Sequence, residues 1–186
     1  MKRTLLFSSI IILLSCARPI EQEDGTDSPY ANLPDLNWEK GIEIVTWNIE
    51  VFPKSGQITT DKVAMIIKTL NADIFCLQEM SSESAFNRLA EQLEDYTAVY
   101  STATRYSNLA ILYKKDSFSV NKQSNVLSNH TYEFASRPPL RLDMTFTDGQ
   151  ETDFTLINVH LKCCGSGFSR RKASAELLHQ YLTELK

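Results

Sequence analysis

Three strand-like runs of the chain carry a polar residue with chemical potential at or near their ends. These residues are Asn48, Glu79 and His160. Side chains at strand ends reach a cleft while the strand fixes their position, so α/β enzymes commonly place ligands and catalysts there. Carboxylate and amide oxygens suit a hard divalent ion, and an imidazole titrates near neutrality and can transfer a proton. We therefore take these three residues as the first candidates for a functional site.

Each candidate also has a purely structural interpretation. Glu79 could be a solvated carboxylate at a strand end, Asn48 a turn-forming residue, and His160 a core histidine. Strand alternation favours a functional His160, because it places Asn158 and His160 on one face and their apolar neighbours on the other. We expect this polar pair to face a cleft.

The elements that position these residues follow from apolar periodicity. Apolar residues at helical spacing after Thr60 predict a helix that Thr60 caps. The other predicted elements are strands at 42–48, 74–78, 97–100, 109–114, 118–126, 140–146 and 154–161, and helices at 82–93 and 169–185. Asp148-Gly149 predicts a hairpin turn between the last two strands. Two β–α units followed by a meander predict an α/β fold, a mixed sandwich of two sheets with flanking helices.

The first sixteen residues have the pattern of a secretion signal. Lys2 and Arg3 precede an apolar run at 5–14, which is too short to span a bilayer. Ser15-Cys16 ends the run and resembles the lipobox of bacterial lipoproteins, which implies a lipidated Cys16 after cleavage. Ala17 then favours sorting to the outer membrane. The alternative is that Cys16 is one more apolar residue of an ordinary signal.

Residues 17–40 are rich in Glu, Asp, Ser, Pro and Gly and contain too few apolar residues to form a core, so we predict a flexible tether. Loss of Lys2 and Arg3 with the signal lowers the basic count from 19 to 17, against 23 acidic residues. This balance argues against tight nonspecific DNA binding, which depends on neutralising many phosphates. It does not exclude a nuclease, because local charge can differ from net charge.

Three further cysteines fall in the predicted domain. Cys76 lies in an apolar run and is expected to be a buried thiol. Cys163 and Cys164 are adjacent, so a bond between them would close a strained ring; a partner elsewhere, or no bond, is equally compatible with the sequence. No second Cys or His pair stands at the spacing that a zinc site requires, which makes zinc a weak interpretation.

From about Gly41 to the end, five motifs occur in the order typical of one enzyme family. They are Trp47-Asn48, Leu77-Gln78-Glu79, Tyr106-Ser107-Asn108, Arg137-Pro138-Pro139 and Asn158-Val159-His160. Each tripeptide is weak alone, but all five in order at strand edges resemble the endonuclease/exonuclease/phosphatase family. The resemblance implies a four-layer α/β/β/α sandwich, of which residues 41–186 would form the N-terminal part.

The resemblance also implies roles for individual residues. Glu79 would be the metal-binding carboxylate, with Asn48 beside the ion, and the ion would be Mg²⁺ or else Mn²⁺ or Ca²⁺. His160 would contact the scissile phosphate and supply a proton to the leaving oxygen. Arg137 would bind the phosphate, with Tyr106 and Asn158 as further phosphate contacts.

Arg141 is an alternative phosphate-binding arginine, since alternation would put it on the other side of its strand. Asn108 stands where a deoxyribonuclease-like member of the family carries a carboxylate that pairs with the histidine. An asparagine could orient the imidazole of His160, but it would stabilise the charged ring less well.

Two motifs of the family's second half do not occur. No glycine is followed by Asp, so no G-D-x-N is present, and there is no S-D-H. We therefore expect an incomplete active site and a 186-residue chain that is neither a stable monomer nor an active hydrolase by itself.

The resemblance implies a divalent-metal-dependent hydrolase of phosphodiesters or phosphomonoesters, and the lipobox pattern implies that it is anchored to a membrane by lipid in the bacterial cell envelope. Its partner would be a phosphoester substrate, either a nucleic acid or a small phosphorylated molecule. One alternative is a noncatalytic, lipid-anchored module that binds phosphate. Another is an esterase of lipid or sugar phosphates.

Overall fold

The computed structural model describes residues 41–147 and 151–185. The predicted signal at 1–16, the tether at 17–40 and the Asp148-Gly149 turn lie outside these residues. The described elements are β1 Ile44–Phe52, α1 Gln57–Leu70, β2 Ile74–Met80, α2 Glu83–Glu91, β3 Tyr96–Tyr100, β4 Asn108–Lys114, β5 Phe118–Asn125, β6 Leu140–Phe146, β7 Thr152–Asn158 and α3 Phe168–Glu184. None of the helices in the described ranges has both the length and the apolarity needed to cross a membrane.

The strands form two sheets. The first has the order β1-β2-β4-β3, with β1 parallel to β2 and the other neighbours antiparallel. The second has the order β5-β6-β7 and is antiparallel throughout. Because β1 and β2 run in parallel, their carboxyl ends lie at the same edge of the first sheet, which brings Asn48 and Glu79 together.

Two apolar clusters hold the layers together. One joins α1 and α2 to the first sheet, with Ile67, Phe86 and Phe75 buried in it. The other fills the space between the sheets and contains Ile111 and Leu142. On the outer face of the second sheet, α3 contacts β6 through a 2.6 Å hydrogen bond from Arg141 Nη1 to Tyr181 Oη. The predicted two-sheet α/β sandwich with flanking helices is confirmed.

Three predicted boundaries are wrong. Helix α1 begins at Gln57, so Thr60 lies inside the helix, where its buried hydroxyl donates to Gly56 O at 3.3 Å. Strand β1 continues beyond Asn48 to Phe52 after an irregularity in its pairing. Strand β7 ends at Asn158, so His160 lies beyond the strand. In contrast, α2 begins close to its predicted start, and Ser82 caps it by accepting from Ala85 N at 3.2 Å.

Candidate active site

The carboxylate of Glu79 is held by two hydrogen bonds from β1. Asn48 Nδ2 donates to Glu79 Oε1 at 3.1 Å, and the backbone N–H of Val51 donates to Oε2 at 3.1 Å. Asn48 Oδ1 in turn accepts from Glu50 N at 3.1 Å, which fixes the turn that presents Val51 N. The carboxylate is therefore positioned by side-chain and backbone donors of the neighbouring strand.

The backbone around this carboxylate is strained. Glu79 has φ +61°, Val51 has φ +57° and Glu50 has φ +23°, all in the region that favours glycine. A β-branched residue such as Val51 is a true outlier there. Such conformations cost on the order of 1–3 kcal/mol each and concentrate at functional sites, where the surrounding structure maintains them. At Glu79 this conformation interrupts strand alternation, which would otherwise direct its side chain to the face opposite Asn48.

His160 lies beside the carboxylate. Its Nε2 is 3.5 Å from Glu79 Oε1, a contact longer than an ordinary hydrogen bond, and its side chain is 13% exposed. Burial, together with the positive charge of Arg137, lowers the pKa of His160 to about 4, although Glu79 opposes this shift. The imidazole is thus neutral at pH 7, and its contact with Glu79 is not a salt bridge. Its buried Nδ1 has no hydrogen-bond partner among the described residues.

Arg137 supplies the positive charge of the cluster. It lies in the loop between β5 and β6, after Ala135 and Ser136, which both have positive φ. Burial lowers the pKa of Arg137, while the charge of Glu79 raises it. The buried Nε of Arg137 lacks a hydrogen-bond partner within the described part of the chain. A buried donor without a partner is costly, so an anion that accepts from this guanidinium would be stabilised.

A buried hydrogen-bond network lies beneath the cluster. Gln78 Nε2 donates to Asn158 Oδ1 at 2.8 Å and to Thr46 Oγ1 at 3.1 Å. Asn158 Nδ2 donates to Leu77 O at 3.0 Å and to Ala110 O at 3.1 Å. Gln78 is a site residue that was not predicted, although a polar residue at the end of an apolar run is a signal that could have identified it.

This network corrects the prediction for Asn158. The residue is 2% exposed, and its oxygen and both amide hydrogens are engaged within the protein. No amide hydrogen is left for a phosphate in this arrangement. Asn158 joins the two sheets and does not face the cleft with His160.

Three other candidate residues form no hydrogen bond with this cluster among the described residues. Tyr106 lies in the loop before β4 and is 75% exposed, so its contact with a substrate phosphate stays a prediction. Asn108 donates to Tyr100 Oη at 3.1 Å and accepts from Thr104 N at 3.3 Å, so both ends of its amide are used away from His160. Arg141 is paired with Asp143 at 2.7 Å on the outer face of the second sheet.

A sequence model of the Endonuclease/Exonuclease/phosphatase family matches residues 45–148, more than half of the chain. The match contains Asn48, Glu79 and Arg137. The chain belongs to this family. The resemblance inferred from the five motifs is confirmed. A comparison with curated protein sequences finds no match.

Solved structures share the family fold. A truncated Caenorhabditis elegans TDP2 is 23% identical, with a TM-score of 0.62, over 77% of this chain and 55% of that one. D. rerio TDP2 complexed with a single-strand DNA product is 17% identical, with a TM-score of 0.64, over 78% and 56%. A mannosyl-6-phosphatase from Bacteroides thetaiotaomicron is 17% identical, with a TM-score of 0.60, over 78% and 60%. The chain thus spans little more than half the length of these proteins.

Enzymes of this family are generally dependent on a divalent metal, and the residues present fit that requirement in part. Glu79 offers a carboxylate, and Mg²⁺ can be held by one or two carboxylates with waters and substrate phosphate. Asn48 Nδ2 faces Glu79 while its oxygen accepts from Glu50 N, so Asn48 orients the carboxylate in this arrangement. Over residues 41–147 and 151–185, no three His, Cys, Asp or Glu residues form a cluster suited to an ion.

Proposed function

We propose that this protein hydrolyses phosphoesters with a divalent ion, Mg²⁺ or else Mn²⁺ or Ca²⁺, bound at Glu79. The observation that carries the proposal is the convergence of a fixed carboxylate, a neutral imidazole and a half-buried guanidinium at one edge of the sandwich. Family membership supports hydrolysis of a phosphoester as the general reaction. The ion would polarise the phosphoryl oxygens and offset their developing charge.

The residues of the chain would divide the remaining work. Arg137 would bind two phosphate oxygens through its planar guanidinium, and Asn48 would keep the carboxylate of Glu79 in place. The neutral ring of His160 would offer one N–H and one lone pair to a phosphate oxygen or a water. A bound phosphate would also raise the pKa of His160, because an anion stabilises the imidazolium, and would thereby bring it closer to the range of a proton donor.

The substrate class remains broad within this proposal. One solved neighbour is complexed with a single-strand DNA product and another is a mannosyl-6-phosphatase. The proposal therefore includes both phosphodiesters and phosphomonoesters as substrates. The excess of acidic residues and the predicted lipid anchor favour a small phosphorylated molecule, such as a sugar or lipid phosphate, over a nucleic acid.

A phosphate-binding function without catalysis is the second candidate. It is favoured by the lack of a three-residue metal cluster in the described ranges. In that case Arg137 would still bind phosphate, because its buried Nε has no hydrogen-bond partner among the described residues. Phosphate binding without turnover would distinguish this function from hydrolysis.

The test is metal-dependent hydrolysis of bis(p-nitrophenyl) phosphate and p-nitrophenyl phosphate by the 186-residue chain and by Glu79→Gln; turnover by the unaltered chain would overturn the expectation that it is inactive by itself. This substitution removes the charge of the carboxylate and little volume, so we expect a loss on the order of 100-fold with the fold intact. Glu91→Gln, an exposed carboxylate on α2, is the matched control and should retain full activity. Equal turnover of the two variants at saturating Mg²⁺ would refute the assignment of Glu79.

A further inference from the structure

Cys163 and Cys164 form an exposed pair of thiols between β7 and α3. Their sulfur atoms are 2.8 Å apart, and neither is part of a disulfide. The third cysteine of the described residues, Cys76, is buried between the sheets and is not available to them. Among the cysteines of the described residues, Cys163 and Cys164 are thus the only two that are close enough to form a disulfide.

The loop that carries the pair is held in place from α3. Arg171 Nη1 donates to Lys162 O and to Cys164 O, both at 2.8 Å. Gly167 permits this close packing, since a Cβ there would lie 2.9 Å from Lys162 O. Cys164 itself has φ +69°, a conformation that few non-glycine residues adopt. The two sulfurs are therefore close because the folded loop keeps them close.

The surroundings of Cys163 favour its thiolate. A hydrogen bond from the Cys164 thiol lowers the pKa of Cys163, and the positive charges of Lys162 and Arg137 lower it further. Lys162 Nζ lies 3.9 Å from Cys163 Sγ. Reactive cysteines are found in such electropositive, exposed positions, because the thiolate is the nucleophile.

The geometry also indicates that a bond between the two would be easy to reduce. Consecutive Cα atoms are about 3.8 Å apart across a trans peptide, whereas disulfides usually join Cα atoms about 4.4–6.8 Å apart. A bond closed at the shorter distance would be strained, and strained, exposed disulfides have the more oxidising potentials. This pair thus differs from a structural disulfide, which resists reduction.

We propose that Cys163 and Cys164 form a thiol–disulfide exchange site, which closes to a reversible vicinal disulfide when a small external disulfide acts as oxidant. The Cys163 thiolate attacks one sulfur of that molecule, a mixed disulfide forms, and the first thiolate leaves. Cys164 loses its proton to water and attacks Cys163 Sγ, which releases the second thiolate. The protein dithiol is oxidised by two electrons, and the external disulfide is reduced to two thiols.

The test is incubation of the folded full chain with oxidised glutathione, followed by alkylation, trypsin and mass spectrometry. We expect the peptide 163–170 to lose two hydrogens without a glutathione adduct, and excess reduced glutathione to restore both thiols. A synthetic peptide of the same sequence is the control for the folded loop, and it should close more slowly and to a smaller extent. Equal closure of the free peptide, or a stable adduct on the unaltered protein, would overturn the proposal.

Three variants test the order of the steps. Cys164→Ser should trap glutathione on Cys163, because the resolving thiol is absent. Lys162→Gln should slow the first step several-fold, whereas Lys172→Gln, an exposed lysine of α3, should not change its rate. Faster adduct formation in Cys163→Ser than in Cys164→Ser would show that the attacking thiol was assigned wrongly.

Discussion

Asn48 supports both hydrogen bonds that hold the carboxylate of Glu79. Its Nδ2 donates directly to Oε1, and its Oδ1 fixes Glu50 N in the turn from which Val51 N donates to Oε2. The strained φ values of Glu50 and Val51 persist because these bonds compensate for them. Loss of the carboxamide should therefore loosen the carboxylate without removing any part of its charge.

We predict that Asn48→Ala weakens divalent-ion binding by about 10–100-fold, the usual effect of losing a group that orients a ligand. The measurement is Mn²⁺ binding followed by electron paramagnetic resonance, with Mg²⁺ as competitor. Asn87→Ala, at an exposed position on α2, is the matched control. Unchanged affinity in Asn48→Ala would mean that the carboxylate is held by other groups.

At the scale of elements, Asn158 links the end of β7 to both central strands of the first sheet. Its amide donates to carbonyls of Leu77 on β2 and Ala110 on β4, and its oxygen accepts from Gln78. These partners are buried, so water cannot replace a lost bond. The same contacts position the chain that leads from β7 to His160.

We predict that Asn158→Leu, which keeps the volume and removes the hydrogen bonds, lowers the free energy of unfolding by at least about 2 kcal/mol. Urea unfolding followed by circular dichroism measures the change. Asn121→Leu, at an exposed position of β5, should change stability by no more than about 0.5 kcal/mol. Equal stability of the two variants would show that the network contributes no net stabilisation.

In the described part of the chain, four strands have one neighbour each, and two of them, β1 and β7, lead to the candidate site. Ile44 of β1 shares the inter-sheet face with Ile74 of β2, yet it is 49% exposed whereas Ile74 is fully buried. An exposed apolar edge strand is a template for pairing with another chain. Self-association through β1 is therefore expected for this chain.

Ile44→Lys should increase the monomeric fraction, because a charge on an edge strand opposes pairing. Sedimentation velocity at several protein concentrations gives the measurement. Met65→Lys, which adds the same charge at an exposed position of α1, should leave the association unchanged. If Met65→Lys has the larger effect, the contact lies on the helical layer.

The predicted lipid anchor concerns the whole molecule as well, since it would decide where the site operates. Cys16→Ser should abolish incorporation of labelled palmitate, because the thiol is the acceptor of the lipid in a lipoprotein. Cys76→Ser is the control and should be labelled like the unaltered protein. Labelling of Cys16→Ser at the normal level would contradict the lipoprotein interpretation.

Local patterns in the sequence were sufficient to predict the family, the fold class and most elements. Strand and helix periodicity depends on local apolar patterns, and the five motifs stand near strand ends where their order could be recognised. Ser82 could be predicted as a cap because capping is a local interaction within one turn. Thr60 could not be excluded as a cap, because the turn at 53–56 that starts α1 earlier has no apolar periodicity.

The assembly of the site depends on tertiary contacts that these local patterns do not contain. Alternation predicted Asn158 and His160 on one open face, but Asn158 is buried between the sheets, and β7 ends before His160. Alternation would likewise separate Glu79 from Asn48, and the left-handed backbone at Glu79 brings them together. These outcomes depend on packing between residues 31 to 81 positions apart, and such contacts leave no trace in a local pattern.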